Sequence, residues 1–262
     1  MLEFNFSLVN FEYFLLILMR VASFFAVAPF FRLQGVPVRT KVGISAVISL
    51  LIYVHIPKTG LEYGGEMEYG VIAGKEVLTG LCLGFSLYIC DAIVTFAGHL
   101  IDLYMGFSMA QEYNPMTQSE NSVTGTMYDN LIMLMLLSGG MYQYVVRAVI
   151  DVFELIPVAG THFYWDGLMS AFLGYLTNLF ILGFRISLPI FSCMLVLNSV
   201  LGIMAKVAPQ MNMFAVGMQI KIVTGLIVIM LTIFLLPKVT DMLTGEMKEM
   251  LVSVIKAMLP VE

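Results

Sequence analysis

Residues 167–205 read GLMSAFLGYLTNLFILGFRISLPIFSCMLVLNSVLGIMA, with eighteen uncharged residues before the single charge, Arg185, and twenty after it. A helix needs roughly 20 apolar residues to cross about 30 Å of hydrocarbon, so each flank is close to a span by itself. This stretch sets the class of the chain: hydrophobic helices in or against a membrane. Pro189, inside the run, is expected to kink or divide its helix. Composition agrees. Of 262 residues, 60% are apolar and 12% charged, against about 25% charged in soluble domains, and the mean hydropathy is +0.92. Net charge is -5 and the 13 Lys and Arg are dispersed, which excludes nucleic-acid binding.

Working outward, further apolar blocks fall at about 4–31, 42–56, 69–101, 131–157 and 213–237. The fold class is therefore all-α, an integral membrane protein of helical hairpins. Several blocks are short or carry charges: Glu12 and Arg20, Lys75 and Glu76, Asp91, the group Arg147, Asp151 and Glu154, then Arg185 and Lys221. An unpaired charge at bilayer depth costs at least about 2.5 kcal/mol, so each needs a partner. Arg147 and Asp151 are spaced to pair along one helix face. The remaining charges are expected to pair within the chain, to reach the membrane interface, or to meet neighbouring subunits. Gly70 with Gly74, and Gly80 with Gly84, would let another helix approach closely.

Loop charges do not give a simple topology. The basic 32–41 connection places the first loop in the cytoplasm, yet the connection around 102–130, expected on the same side, carries acids and no base. Ala26-Val27-Ala28 resembles a signal-peptidase site, but Arg20 interrupts the apolar run and Pro29 follows the cut, so the segment is expected in the mature protein.

Gly106–Asn130, GFSMAQEYNPMTQSENSVTGTMYDN, is the least membrane-like part. A polar connection this long between apolar helices is commonly functional or disordered. We expect it to line or close an aqueous passage, with Gly106 and Gly125 as hinges and Asn114-Pro115 extended. Near the end, Lys206, Pro209, Gln210 and Asn212 form a polar turn between two apolar helices, with Asn212 placed to cap the second.

Catalytic and metal signatures are missing. There is no G-x-S-x-G, no Walker loop and no HExxH, and the three cysteines sit singly in apolar runs. The expectation is no enzyme, no metal and no cofactor. A small-solute secondary transporter with a polar midplane site is the main alternative.

Met19–Pro37 (MRVASFFAVAPFFRLQGVP), Ala97–Pro115 (AGHLIDLYMGFSMAQEYNP) and Leu201–Phe214 (LGIMAKVAPQMNMF) together resemble the FliR family of flagellar biosynthetic proteins, whose relatives serve virulence type III secretion systems. The resemblance runs in order over nearly the whole chain. It implies a subunit of the bacterial inner-membrane export gate at the flagellar basal body, assembled with several copies of FliP and FliQ into a cone-like complex that passes unfolded flagellar proteins. Other export-apparatus proteins would be further partners. It also implies a division into a FliP-like portion (1–183), a FliQ-like hairpin (184–237) and a tail (238–262). A plug would be formed by about 106–122, including Gly106, Phe107, Ser108, Met109, Gln111, Glu112, Asn114, Pro115 and Met116. The charges inside helices, Arg147, Asp151, Glu154, Arg185 and Lys221, would be interface contacts, as would Gly70, Gly74, Gly80 and Gly84.

Overall fold

The computed structural model describes residues 8–29, 37–56, 63–107, 113–114, 119–120, 122–210 and 213–259. The order of elements is α1 (Leu8–Val27), α2 (Val38–His55), α3 (Glu66–Met105), β1 (Tyr113–Asn114), β2 (Ser119–Glu120), α4 (Val123–Ser138), α5 (Met141–Leu155), α6 (Trp165–Val207), α7 (Met213–Thr232), a 3-10 turn (Ile233–Leu235) and α8 (Leu236–Lys256). Among the described residues five helices are long and apolar enough to cross a membrane, with α7 and α8 taken together, or six when α4 and α5 count as one bent span.

Apolar patterning alone makes these segments helical, because in hydrocarbon a helix satisfies every backbone polar group internally. Hydroxyls are accommodated the same way: Ser86, Ser187, Ser192 and Thr240 each donate to a carbonyl three or four residues back in their own helix. Helix α6 continues through Pro189, so the expected division does not occur. The 131–157 block divides instead. Gly140, with φ 74°, takes a left-handed conformation that a side chain would strain, and α4 ends just before it while α5 begins just after.

Two compact units share the chain. One comprises Met1–Ile89, Gly140–Tyr175 and Glu246–Glu262, the other Cys90–Gly139 and Leu176–Gly245. In the first, α5 buries Met141, Val145, Val149, Val152 and Phe153 at helical spacing, and the end of α8 buries Met247, Met250, Leu251 and Val254. The region expected as a tail is therefore largely a packed helix, with Tyr164 donating its backbone N–H to Ala257 O at 3.2 Å. In the second unit the core joins Ile93, Ala97, Ile101 and Met105 of α3 with Ile132 and Leu136 of α4. Phe96 there meets Phe180 and Phe184 edge to face at 5.3 and 5.7 Å, where the missing side chain of Gly183 admits its ring.

A tied loop base and the fate of the buried charges

The polar segment after α3 is tied at its base by one carboxylate. Asp102, three residues before the helix ends, is fully buried. It accepts a hydrogen bond from Ser122 Oγ at 2.7 Å and from the Thr124 backbone N–H at 3.2 Å. Ser122 is extended, with φ -67° and ψ 124°, and caps α4 by accepting from Gly125 N–H at 2.8 Å. A carboxylate on the exposed N–H groups of a helix start also meets the positive end of the helix dipole. Helix α4 thus begins at Val123, so the last eight residues of the stretch read from composition as polar loop are helical. Gly125 is accordingly not a loop hinge: it lies in the first turn of α4, and a side chain on Gly98 of α3 would overlap its backbone.

Between these anchors the chain forms a small hairpin, with Tyr113 paired to Glu120 and Asn114 to Ser119. Gly106, with φ 83°, ends α3 in the left-handed conformation and has open space around it; Phe107 is half-buried. Asn114 is extended, in keeping with the proline that follows. Ser108, Met109, Gln111, Glu112, Pro115 and Met116 lie outside the described residues, as does Asn212. Of the other expected turn, Pro209 and Gln210 are exposed between α6 and α7, whereas Lys206 is exposed within the last turn of α6; Leu201 Cδ1 approaches Gly217 across the hairpin.

The glycine pairs separate by role. Gly80 and Gly84 are buried against α1, where a Cβ on Gly84 would lie 2.8 Å from the Phe24 carbonyl oxygen. Gly70 and Gly74 face open space.

Arg20 and Glu76 find each other. Among the described residues theirs is the one ion pair, with side chains 1% and 0% exposed. One edge of the guanidinium engages both carboxylate oxygens: Nε donates to one oxygen, and Nη2 to the other at 2.9 Å. Nη1 donates to Ile156 O at 2.8 Å, the Phe153 ring lies 4.4 Å from the guanidinium carbon, and Glu76 also accepts from Ala159 N–H at 3.0 Å. This network joins α1, α3 and the turn after α5, so a full set of partners offsets the cost of dehydrating both charges. Glu12 accepts from the Tyr63 hydroxyl, and that bond holds the Tyr63 phenol above its usual range. Arg147, Asp151 and Glu154 instead stand exposed on α5 and form no ion pair among the described residues, so the Arg147–Asp151 contact is not made. Sequence spacing missed both buried clusters because their members lie 20 and 56 residues apart. Cys82, Cys90 and Cys193 form no disulfide among the described residues; Cys90 is buried and Cys82 and Cys193 half-buried. No group of His, Cys, Asp and Glu among the described residues could hold a metal ion.

A family model described as bacterial export proteins, family 1, matches residues 11–247. The chain belongs to this family. The FliR protein of Bacillus subtilis (strain 168) is 32% identical over 243 residues, covering 90% of this chain and 93% of that protein. FliR of Escherichia coli (strain K12) is 28% identical over 214 residues, with 80% and 79% covered. The secretion system apparatus protein SsaT of Salmonella typhimurium is 24% identical over 196 residues, with 74% and 75% covered. As a FliR-family member carrying several apolar helices, the chain is a membrane-embedded component of type III export.

Proposed function

We propose that this FliR-family chain is a structural subunit of the flagellar export gate in the bacterial inner membrane, forming with several copies of FliP and FliQ a gated channel for unfolded flagellar proteins. It performs no chemistry of its own, and the 106–122 loop closes the channel. The observation that carries this reading is the length of exposed apolar helix. Helix α6 has 43 residues, about 65 Å of contour. It exposes Met169, Phe180, Ile181 before Arg185, and Leu195, Val196, Ile203 after it. Hydrocarbon about 30 Å thick covers roughly half of that length, so protein neighbours are needed for the rest.

The loop supports the plug assignment through its composition and its attachment. A hairpin of polar composition whose far end is held to α3 by Asp102 suits a movable element on a fixed base. A solute transporter would aim its buried charges at a binding site, whereas Arg20 and Glu76 are saturated by each other and by backbone.

Deleting Met109–Gln118 tests the plug in the assembled complex. The expected result is increased ion leakage across membranes holding the complex without substrate. Conductance equal to that of the intact complex would contradict it.

A further inference from the structure

The charges set deep in the apolar helices are settled unevenly. Several carboxylates are engaged: Glu76 with Arg20, Glu12 with Tyr63, Asp102 with Ser122 and Thr124, while Asp91 and Asp129 have interactions of their own and Asp151 and Glu154 stand exposed on α5. Three cations, Lys75, Arg185 and Lys221, have no side-chain hydrogen bond or ion pair among the described residues. None can be neutralised within its own helix. The positions three and four residues away are Val71, Ile72, Leu78 and Thr79 for Lys75; Ile181, Leu182, Leu188 and Pro189 for Arg185; and Gly217, Met218, Thr224 and Gly225 for Lys221.

Arg185 is the most constrained of the three. Lys75 and Lys221 lie within about three turns of the starts of α3 and α7, near enough to an end for a flexible ammonium to reach lipid head groups. Arg185 stands about 30 Å from either end of α6, is exposed, and has exposed Ile181, Phe184 and Leu188 around it. Its guanidinium does not give up its proton, so it cannot escape burial by becoming neutral. Resting on the gate reading, which supplies the neighbour, we infer that Arg185 pairs with an Asp or Glu on an apolar helix of an adjacent subunit. Charge complementarity sets the partner's chemistry: the face it presents is apolar, with one carboxylate placed to meet the guanidinium fork. Because no carboxylate among the described residues of this chain pairs with Arg185, the carboxylate comes from the neighbour.

Co-expression of the tagged chain with FliP and FliQ, followed by detergent extraction and pull-down, tests the pair in Arg185→Met, Arg185→Lys and Arg185→Glu. Methionine at this exposed apolar position keeps the helix, and membrane abundance is read on the same samples. The expected result is about ten-fold less partner recovered with methionine and a smaller loss with lysine. Suppressors selected to restore motility to Arg185→Glu should change an Asp or Glu of a partner to Lys or Arg. If the wild type recovers its partners and Arg185→Met recovers them equally, the cation faces lipid head groups and the pair is overturned while the gate reading stands. Suppressors confined to this chain overturn the pair as well. Failure of the wild type to recover any partner overturns the gate reading and the pair with it.

Discussion

Asp102 shows how much one side chain can organise. Its carboxylate satisfies a hydroxyl and a helix-start N–H at once, and it fixes where α3 stops organising and α4 begins. Asp102→Ala should lower stability by about 2–3 kcal/mol, as expected for buried charge-assisted bonds. Asp102→Asn, which keeps one carbonyl acceptor, should lose less; thermal unfolding of the purified complex in detergent measures both. Arg20 and Glu76 call for a different comparison, because a lone survivor of a buried pair is worse than none. Arg20→Met alone should cost about 3–5 kcal/mol, whereas Arg20→Met with Glu76→Met should recover most of that loss. Two single-variant losses that simply add would show that the two groups act independently.

At the scale of elements, two corners depend on glycine. Gly140 turns α4 into α5 with a positive φ, so Gly140→Ala should destabilise by about 1 kcal/mol. Gly98 touches Gly125 where α3 passes α4, and Gly98→Val should cost about 1–3 kcal/mol by forcing the helices apart at the loop base. Chemical denaturation in detergent reads both effects. The helices themselves were legible from apolar runs, since long uncharged stretches such as 167–184 and 186–205 have few alternatives. The start of α4 was not. Its cap comes from Ser122 and its second acceptor from Asp102, twenty residues upstream, and polar residues from Val123 to Asn130 resemble loop when only composition is weighed. Helix α8 was readable in principle: Leu243, Met247, Met250, Leu251 and Val254 recur at helical spacing, but interspersed charges such as Lys248 and Glu249 hide it from a search for apolar blocks.

Across the whole molecule, the distribution of exposure carries the functional reading. Helices α2 and α6 present apolar side chains outward along much of their length, while α5 and α8 present charges. The sequence disclosed this tension as short blocks, embedded charges and a loop-charge count that failed; what it could not disclose is which charges are satisfied inside the chain, since Arg20 and Glu76 meet only through folding. The central claim is that sister subunits, more than lipid, cover these faces. Native mass spectrometry of the intact detergent-extracted particle tests it most directly. The expected result is one assembly in which this chain is bound to several copies each of FliP and FliQ. A stable particle containing this chain alone, recovered from cells that also make both partners, would contradict it.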